Sequence, residues 1–287
     1  MSLGAAPEPP RLICRKVCPK HVKVLKGLLV CSLVLLWYSV SITLVLFNKW
    51  IVTSWRDGLL DFPIFYSMTH MFLKGVFAGS WLRLVRCRPF PRVSWKAMCS
   101  TAFIGMATGI DVALSNSSFL YISVSFYTML KSASLIFILV MGVVVKVEPC
   151  SLKICAIILL ISGGIFLTSY GEAEFDLLGF SLVISSEAFA AARWIVTQIV
   201  VQHGKLDAMT TVFLMAPGST LSLAPLVAAV EREKILALSS SEIIFEYSIV
   251  VIFPGLLAFA LILVEVSLVK VTSSLTLSVF GNLKSIV

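Results

Sequence analysis

The sequence predicts an all-α membrane protein built from two inverted repeats, and three observations support this. Of the 287 residues, 59% are hydrophobic and 13% are charged, whereas soluble domains carry about 25% charged residues. Basic residues are concentrated in alternate loops between apolar segments. A Leu-Lys-Ser triplet occurs twice, five segments apart. The composition excludes an ordinary soluble enzyme, a disordered chain, a collagen and a disulfide scaffold.

Nine apolar segments approach the length of about 20 residues that a membrane-spanning helix needs. They are 27–47, 62–82, 97–118, 122–145, 152–170, 177–201, 209–230, 247–269 and a last one that starts near 272. The last has only about 16 residues, roughly 24 Å of helix, before Val287. We therefore expect eight whole spans and most of a ninth.

The loops predict the orientation of these spans. Residues 1–26 form a basic, proline-containing tail, which we place in the cytosol ahead of an uncleaved first span. Cytosolic segments then hold 15 Lys and Arg residues and the opposite side holds 4, as the positive-inside rule requires. None of the seven cysteines forms a CxxC pair, so we expect reduced thiols.

The two halves of the chain repeat a pattern. Residues 123–132 and 273–285 each open with Ser and Thr and run into Leu-Lys-Ser, and the triplets lie 153 positions apart. An odd unit of five spans inverts the second copy in the membrane, which is the plan of many secondary transporters. We therefore predict a first five-helix repeat at 27–170 and an incomplete second repeat at 171–287. A central site is expected between them.

Ionisable residues inside the spans are candidates for that site, because each costs about 2.5–3.5 kcal/mol at a span centre. Lys131 and Lys284 lie at similar depth in the fourth and ninth spans, and two ammonium groups suit a doubly charged phosphate. The proposed substrate-binding residues are Lys131, Lys284, Tyr127, Ser278 and Asn282. Structural pairing of these lysines is the alternative.

The remaining intramembrane charges are predicted to form gates or structural ion pairs. Arg193 either holds a phosphate or locks its helix against Glu187 or Glu265. Asp111 is either a counter-ion for Lys131 or part of a gate. Glu265 is a candidate gate partner of Lys270. No catalytic residue, metal site, cofactor or nucleic-acid interface is expected. The Gly75/Gly79 and Gly105/Gly109 spacings predict close helix packing, as does the Gly163-Gly164 pair.

Several segments resemble the nucleotide-sugar transporter and triose-phosphate translocator family of the drug/metabolite transporter superfamily. They are Phe47–Trp50, the segment from Phe62-Pro63 to Thr69-His70, Asn116–Ser132, Ala192–Gln198 and Val271–Lys284. Within the family, the sequence is similar to the C-type branch of solute carrier family 35, the GDP-fucose transporter-like proteins.

This resemblance implies a ten-helix drug/metabolite transporter fold, here cut within helix nine, with both termini of the family fold in the cytosol. It implies exchange of a nucleotide sugar, with GDP-fucose as the first choice, for a nucleoside monophosphate in the Golgi or endoplasmic reticulum membrane. The family's basic residues in helices four and nine carry over to Lys131 and Lys284. Residues Gly281–Lys284 depart from the Gly-Ala-Leu-Asn-Lys motif of GDP-mannose carriers, which leaves the nucleotide open.

The sequence supports two hypotheses for the function. The first is this antiporter, with association into a homo-oligomer left open. The second is a non-transporting or truncated membrane factor that pairs with an active carrier through its GxxxG faces. A chain that ends at Val287 is expected to be a fragment, a splice form or a pseudo-transporter. A multi-span enzyme is excluded because the short loops carry no cluster of Asp, His or Cys.

Overall fold

The computed structural model describes residues 19–54, 63–85, 93–149, 151–171, 175–204, 206–237 and 241–286, and within them the chain forms helices and turns but no strand. The helices are α1 (Pro19–Ser54), α2 (Pro63–Ser80), α3 (Trp95–Ser118), α4 (Val124–Leu130), α5 (Ala133–Val144), α6 (Leu152–Gly171), α7 (Leu177–Gln198), α8 (Ala208–Val230), α9 (Arg232–Ala237), α10 (Ser241–Val271) and α11 (Ser274–Ile286). One π-helical turn follows α2 at Trp81–Val85, and another follows α7 at Ile199–His203.

Six segments of the described residues are long and apolar enough to cross a membrane. They are Val24–Asn48, Trp95–Ser118, Phe126–Val144, Leu177–His203, Ala208–Val230 and Val250–Val271, which correspond to the predicted spans one, three, four, six, seven and eight. Predicted spans two, five and nine are helices of 18, 20 and 13 residues. The prediction of an all-α membrane protein is confirmed, and the inverted relation of the halves stays a prediction.

The fourth predicted span is not one continuous α-helix, contrary to the sequence prediction for 122–145. A turn at Lys131–Ser132 separates α4 from α5. The Ser132 and Ser134 hydroxyls donate to the carbonyls of Met129 and Lys131, at 2.7 and 2.8 Å. Back-bonding of this kind bends helices, and the backbone here tightens to bonds between residues three apart, as from the Ser134 N–H to the Lys131 carbonyl.

Glycines allow α8 to lie directly against α2 and α3. A Cβ added at Gly75 would lie 2.8 Å from the Ala216 Cβ, and one at Gly218 would lie 2.8 Å from the Ala102 carbonyl oxygen. The predicted close packing is therefore confirmed for these two GxxxG stripes, but both face α8 of the same chain. They are not open to a partner protein, so this part of the second hypothesis is wrong. A Cβ added at Gly163 or Gly164 would meet no atom of another described segment within 4 Å, so the predicted close packing at this pair stays a prediction.

Two polar clamps fix the ends of the bundle. At one end, the buried Glu231 carboxylate, just after α8, accepts hydrogen bonds from the Ile64 and Phe65 N–H groups at 2.9 and 2.7 Å. These N–H groups lie in the first turn of α2, where they have no carbonyl partner within the helix and where a carboxylate is favoured. At the other end, the Gln198 side chain accepts from the Ser274 N–H at 2.7 Å, and Gln202 donates to the Val269 and Thr272 carbonyls at 2.7 and 2.9 Å. The second clamp fixes the junction between α10 and α11.

Candidate functional site

A cavity of about 500 Å³ lies between α1, α3, the α4–α5 turn, α7, α10 and α11. Its walls combine charged, hydroxyl, amide and aromatic side chains. Of the candidate site residues named from the sequence, Lys270 does not line it and nine do: Lys131, Lys284, Tyr127, Ser278, Asn282, Asp111, Arg193, Glu187 and Glu265. The fold thus brings together residues that are up to 173 positions apart, from Asp111 to Lys284.

Lys131 lies at the α4–α5 turn, and its side chain is exposed to the cavity. Its ammonium nitrogen is 5.0 Å from the centroid of the Tyr127 ring, a cation–π distance. The Tyr127 ring in turn lies 4.5 Å from that of Phe119. Within the described residues, Lys131 forms no ion pair, so its charge is available to a ligand.

Lys284 is held by α1 from across the cavity. Its Nζ donates to the Ser41 hydroxyl at 2.6 Å and lies 5.3 Å from the Trp37 ring centroid. The Trp37 indole N–H donates to Glu265 Oε1 at 3.0 Å. Trp37 and Ser41 were not among the residues predicted from the sequence. Their spacing of four residues, which places both on one face of the first span, was the available signal.

Arg193 pairs with Asp111, with 3.4 Å between Nη2 and Oδ2. The Ser186 hydroxyl donates to Asp111 Oδ1 at 2.7 Å, and the Arg193 guanidinium stacks over Trp194 at 4.6 Å from the ring centroid. This network joins α3 to α7. The direct ion pair of Arg193 is thus with Asp111, and Arg193 acts on Glu187 and Glu265 only over a longer distance. Asp111 likewise acts on Lys131 without pairing with it directly, so the predicted roles of Arg193 and Asp111 as a lock or a gate stay predictions.

Glu265 does not form the expected pair with Lys270. The Lys270 ammonium instead donates to the Leu206 carbonyl at 3.3 Å. Residues five apart point about 140° away from each other around an α-helix, so α10 directs Glu265 towards Trp37 and Lys270 away from the cavity. Within electrostatic range of Glu265 are Arg193, Lys74 and Lys284.

Two polar residues of α11 complete the wall near Lys284. The Ser278 and Ser134 hydroxyls lie 3.4 Å apart and connect α11 to α5. The Asn282 side-chain nitrogen is buried and, within the described part of the chain, has no hydrogen-bond partner. A buried donor without a partner costs about 1–3 kcal/mol, and a ligand acceptor in the cavity would remove that cost.

The arrangement can bind a polar anion that carries a flat or polar organic group. Three cations supply charge-assisted hydrogen bonds, and Trp37, Phe119, Tyr127 and Trp194 supply aromatic surfaces. The volume lies within the range of about 300–1,000 Å³ that is typical of small-molecule sites.

Comparison with known proteins places the chain in a family. The Triose-phosphate Transporter family matches residues 28–287. A probable sugar phosphate/phosphate translocator of Arabidopsis thaliana is 31% identical over 271 residues, which cover 88% of this chain and 64% of that protein. The GDP-mannose transporter GONST5 and the UDP-galactose transporter 1 of Arabidopsis thaliana are 28% and 27% identical, over 88% of this chain and 73% and 74% of their own lengths.

This chain therefore spans slightly less than two thirds of the sugar phosphate/phosphate translocator that it matches. The family match covers all of the described helices from α2 to α11 and most of α1. Its members are transporters, which agrees with the prediction that the chain is not an enzyme. The chain belongs to the Triose-phosphate Transporter family.

Proposed function

We propose that the protein exchanges a nucleotide sugar, with GDP-fucose as the first choice, for a nucleoside monophosphate across the Golgi or endoplasmic reticulum membrane. The observation that carries the proposal is the pair Lys131 and Lys284, which lie on different halves of the chain and line one cavity. A nucleotide sugar brings about two negative charges into the bundle, and burying them without cations is prohibitive.

The side chains that line the cavity support a ligand larger than phosphate. The Phe119 and Tyr127 rings lie on the same side of the cavity as Lys131, where a nucleobase or a sugar face can stack. Asn282 offers an unused donor, and Ser115, Asn116 and Ser278 offer hydroxyl and amide groups. These groups suit sugar hydroxyls and base edges.

The choice of nucleotide rests on the resemblance of the sequence to GDP-fucose transporter-like proteins. Two of the relatives are named for GDP-mannose and UDP-galactose, and others for sugar phosphates. Exchange of a sugar phosphate for phosphate is therefore the second candidate, because the same two lysines suit any phosphate dianion. We also propose a cytosolic N-terminus, on the count of 15 basic residues against 4.

Purified protein in liposomes tests both candidates. Vesicles preloaded with GMP are expected to take up GDP-fucose, whereas vesicles without internal substrate take up little. UDP-galactose with UMP, and glucose 6-phosphate with inorganic phosphate, form the comparison panel. Uptake of the sugar phosphate alone would replace the first candidate with the second. No exchange with any pair would contradict the proposed function.

A further inference from the structure

The three carboxylates that line the cavity differ in the hydrogen bonds and ion pairs that they form. Asp111 accepts from Ser186 at 2.7 Å and pairs with Arg193 at 3.4 Å. Glu265 accepts from Trp37 at 3.0 Å. Glu187 is 5% exposed, and among the described residues it receives no hydrogen bond and forms no ion pair. It is a buried ionisable group that faces the cavity without a partner.

The groups that face Glu187 come from every helix packed against α7. Asp111 lies on α3, and Lys131 with Tyr127 lies on the α4–α5 turn and α4. Arg193 is on α7 itself and is already paired with Asp111. Farther along the same wall, α10 contributes Glu265 and α11 contributes Lys284. The two cations that act on Glu187 therefore have other partners as well. Arg193 pairs with Asp111, and Lys131 lies over the Tyr127 ring.

The charges that line the cavity cancel when it is empty. The three cations Lys131, Arg193 and Lys284 stand against the three carboxylates of Asp111, Glu187 and Glu265. A bound dianion therefore gives the loaded cavity a net charge of −2. Enclosing a net charge within the bundle is unfavourable, and one proton taken up by a lining carboxylate halves it.

We propose that Glu187 is a proton-binding site that takes up one proton from water when a phosphate dianion enters the cavity. The proposal rests on the proposed function, because it needs a phosphorylated ligand. Protonation removes the repulsion between the Glu187 carboxylate and the ligand. It also converts Glu187 from an acceptor into an O–H donor for a ligand oxygen, so the proton and the phosphate bind together.

Titration calorimetry of the full chain in detergent with GMP tests the proposal. Near pH 8, about two units above the second phosphate pKa of about 6, GMP is already a dianion. Repeating the titration in buffers of different ionisation enthalpy gives the number of protons taken up per GMP bound. We expect about one for the wild-type protein and about zero for Glu187→Gln. We also expect the wild-type Kd to rise about tenfold per pH unit, and that of the variant to change little.

Glu148→Gln is the matched control, because it removes a carboxylate that does not line the cavity, and it should keep the uptake of one proton. Wild-type protein that binds GMP without proton uptake overturns the inference and leaves the proposed function standing. Uptake that persists in Glu187→Gln also overturns it. If the variant does not fold, the wild-type proton count still decides. Failure to bind GMP, glucose 6-phosphate and inorganic phosphate contradicts the proposed function, and the inference with it.

Discussion

The two lysines of the cavity occupy matching positions in the sequence but lie in different surroundings. Each lies at or just beyond the end of a helix that begins with a serine cap: Lys131 directly follows α4, and Lys284 lies in the last turn of α11. Ser123 accepts from the Phe126 N–H, and Ser273 accepts from the Thr276 N–H, both at 3.2 Å. Beyond the caps the likeness ends. Lys131 projects into the cavity over Tyr127, whereas Lys284 is fixed by Ser41.

The difference indicates that the two lysines have different roles in the site. Lys131 is placed at an irregular turn and forms no direct ion pair in the described structure, although Glu187 and Asp111 act on it over a longer distance, so its ammonium can contact a ligand directly. Lys284 already balances part of the Glu265 charge, and its helix is clamped by Gln198. We expect ligand binding to depend more on Lys131, and the architecture of the cavity to depend more on Lys284.

Replacing Lys131 gives the largest expected effect on exchange. Lys131→Met keeps most of the stem volume but removes the charge. Truncating one partner of a buried charge pair costs about 2–5 kcal/mol, so the exchange rate should fall by at least about 30-fold, with folding unchanged. Liposome exchange and thermal melting measure the two quantities. Lys131→Arg should recover only part of the rate, because a planar fork cannot place its charge where the ammonium lies.

Lys153→Met is the control for Lys131→Met, because Lys153 is exposed on α6 and does not line the cavity. It should exchange substrate at the wild-type rate. An equal loss in both variants would show that the effect of Lys131 is not specific to the cavity.

Lys284→Met is expected to lower exchange less, by about tenfold, and to lower stability as well. Its removal leaves Glu265 with fewer compensating cations and the Ser41 hydroxyl without its donor. Leaving a buried charge less compensated costs free energy of folding. Exchange assays and thermal melts on the same preparation separate the two effects. A rate loss larger than that of Lys131→Met, with unchanged stability, would reverse the comparison.

Gln198→Leu is expected to destabilise the protein by about 1–3 kcal/mol, because it leaves the Ser274 N–H buried without an acceptor. The change removes the contact that joins the end of α7 to the start of α11, and leaves the local cap of α11 by Ser273 in place. Denaturation monitored by tryptophan fluorescence measures it. Wild-type stability in the variant would show that the clamp does not hold α11 in place.

Ser41→Ala should have the smallest effect, about 1 kcal/mol, because it removes one hydrogen bond and leaves the Trp37 contact in place. GMP affinity should change by no more than about fivefold, and titration calorimetry measures it. Ser39→Ala is the control, since Ser39 lies on the same helix and its hydroxyl bonds only to the Leu35 carbonyl. A loss as large as that of Lys284→Met would mean that Ser41 fixes the lysine by itself.

The sequence predicted which residues would meet but not how they would pair. A charged residue inside an apolar segment can be recognised from a single sequence. Lys131, Glu187 and Lys284 could therefore be identified before the fold was known. The choice of Asp111 as the partner of Arg193 depends on how α3 rotates against α7, over a separation of 82 positions. No local pattern contains that rotation.

The helix break in the fourth span could not be predicted from the sequence either, for a different reason. Residues 122–141 contain no proline or glycine, so the sequence around Lys131 predicts a single continuous helix. At the break, two serine hydroxyls bond back to carbonyls one turn earlier. Serine in an apolar helix can do this or can bond across to a neighbour, as Ser186 does with Asp111, and only packing decides between the two.

The glycine contacts of α8 have a consequence for measuring motion. Where α8 meets α3, a Cβ on Gly218 would lie 3.3 Å from the Gly105 Cα, so the two backbones touch without side chains between them. Contacts this close leave little room for sliding or rotation. Spectroscopic labels at the two ends of this helix pair should therefore keep a constant separation through the transport cycle. They provide a fixed reference distance against which any change in the position of α4, α5 and α11 can be measured.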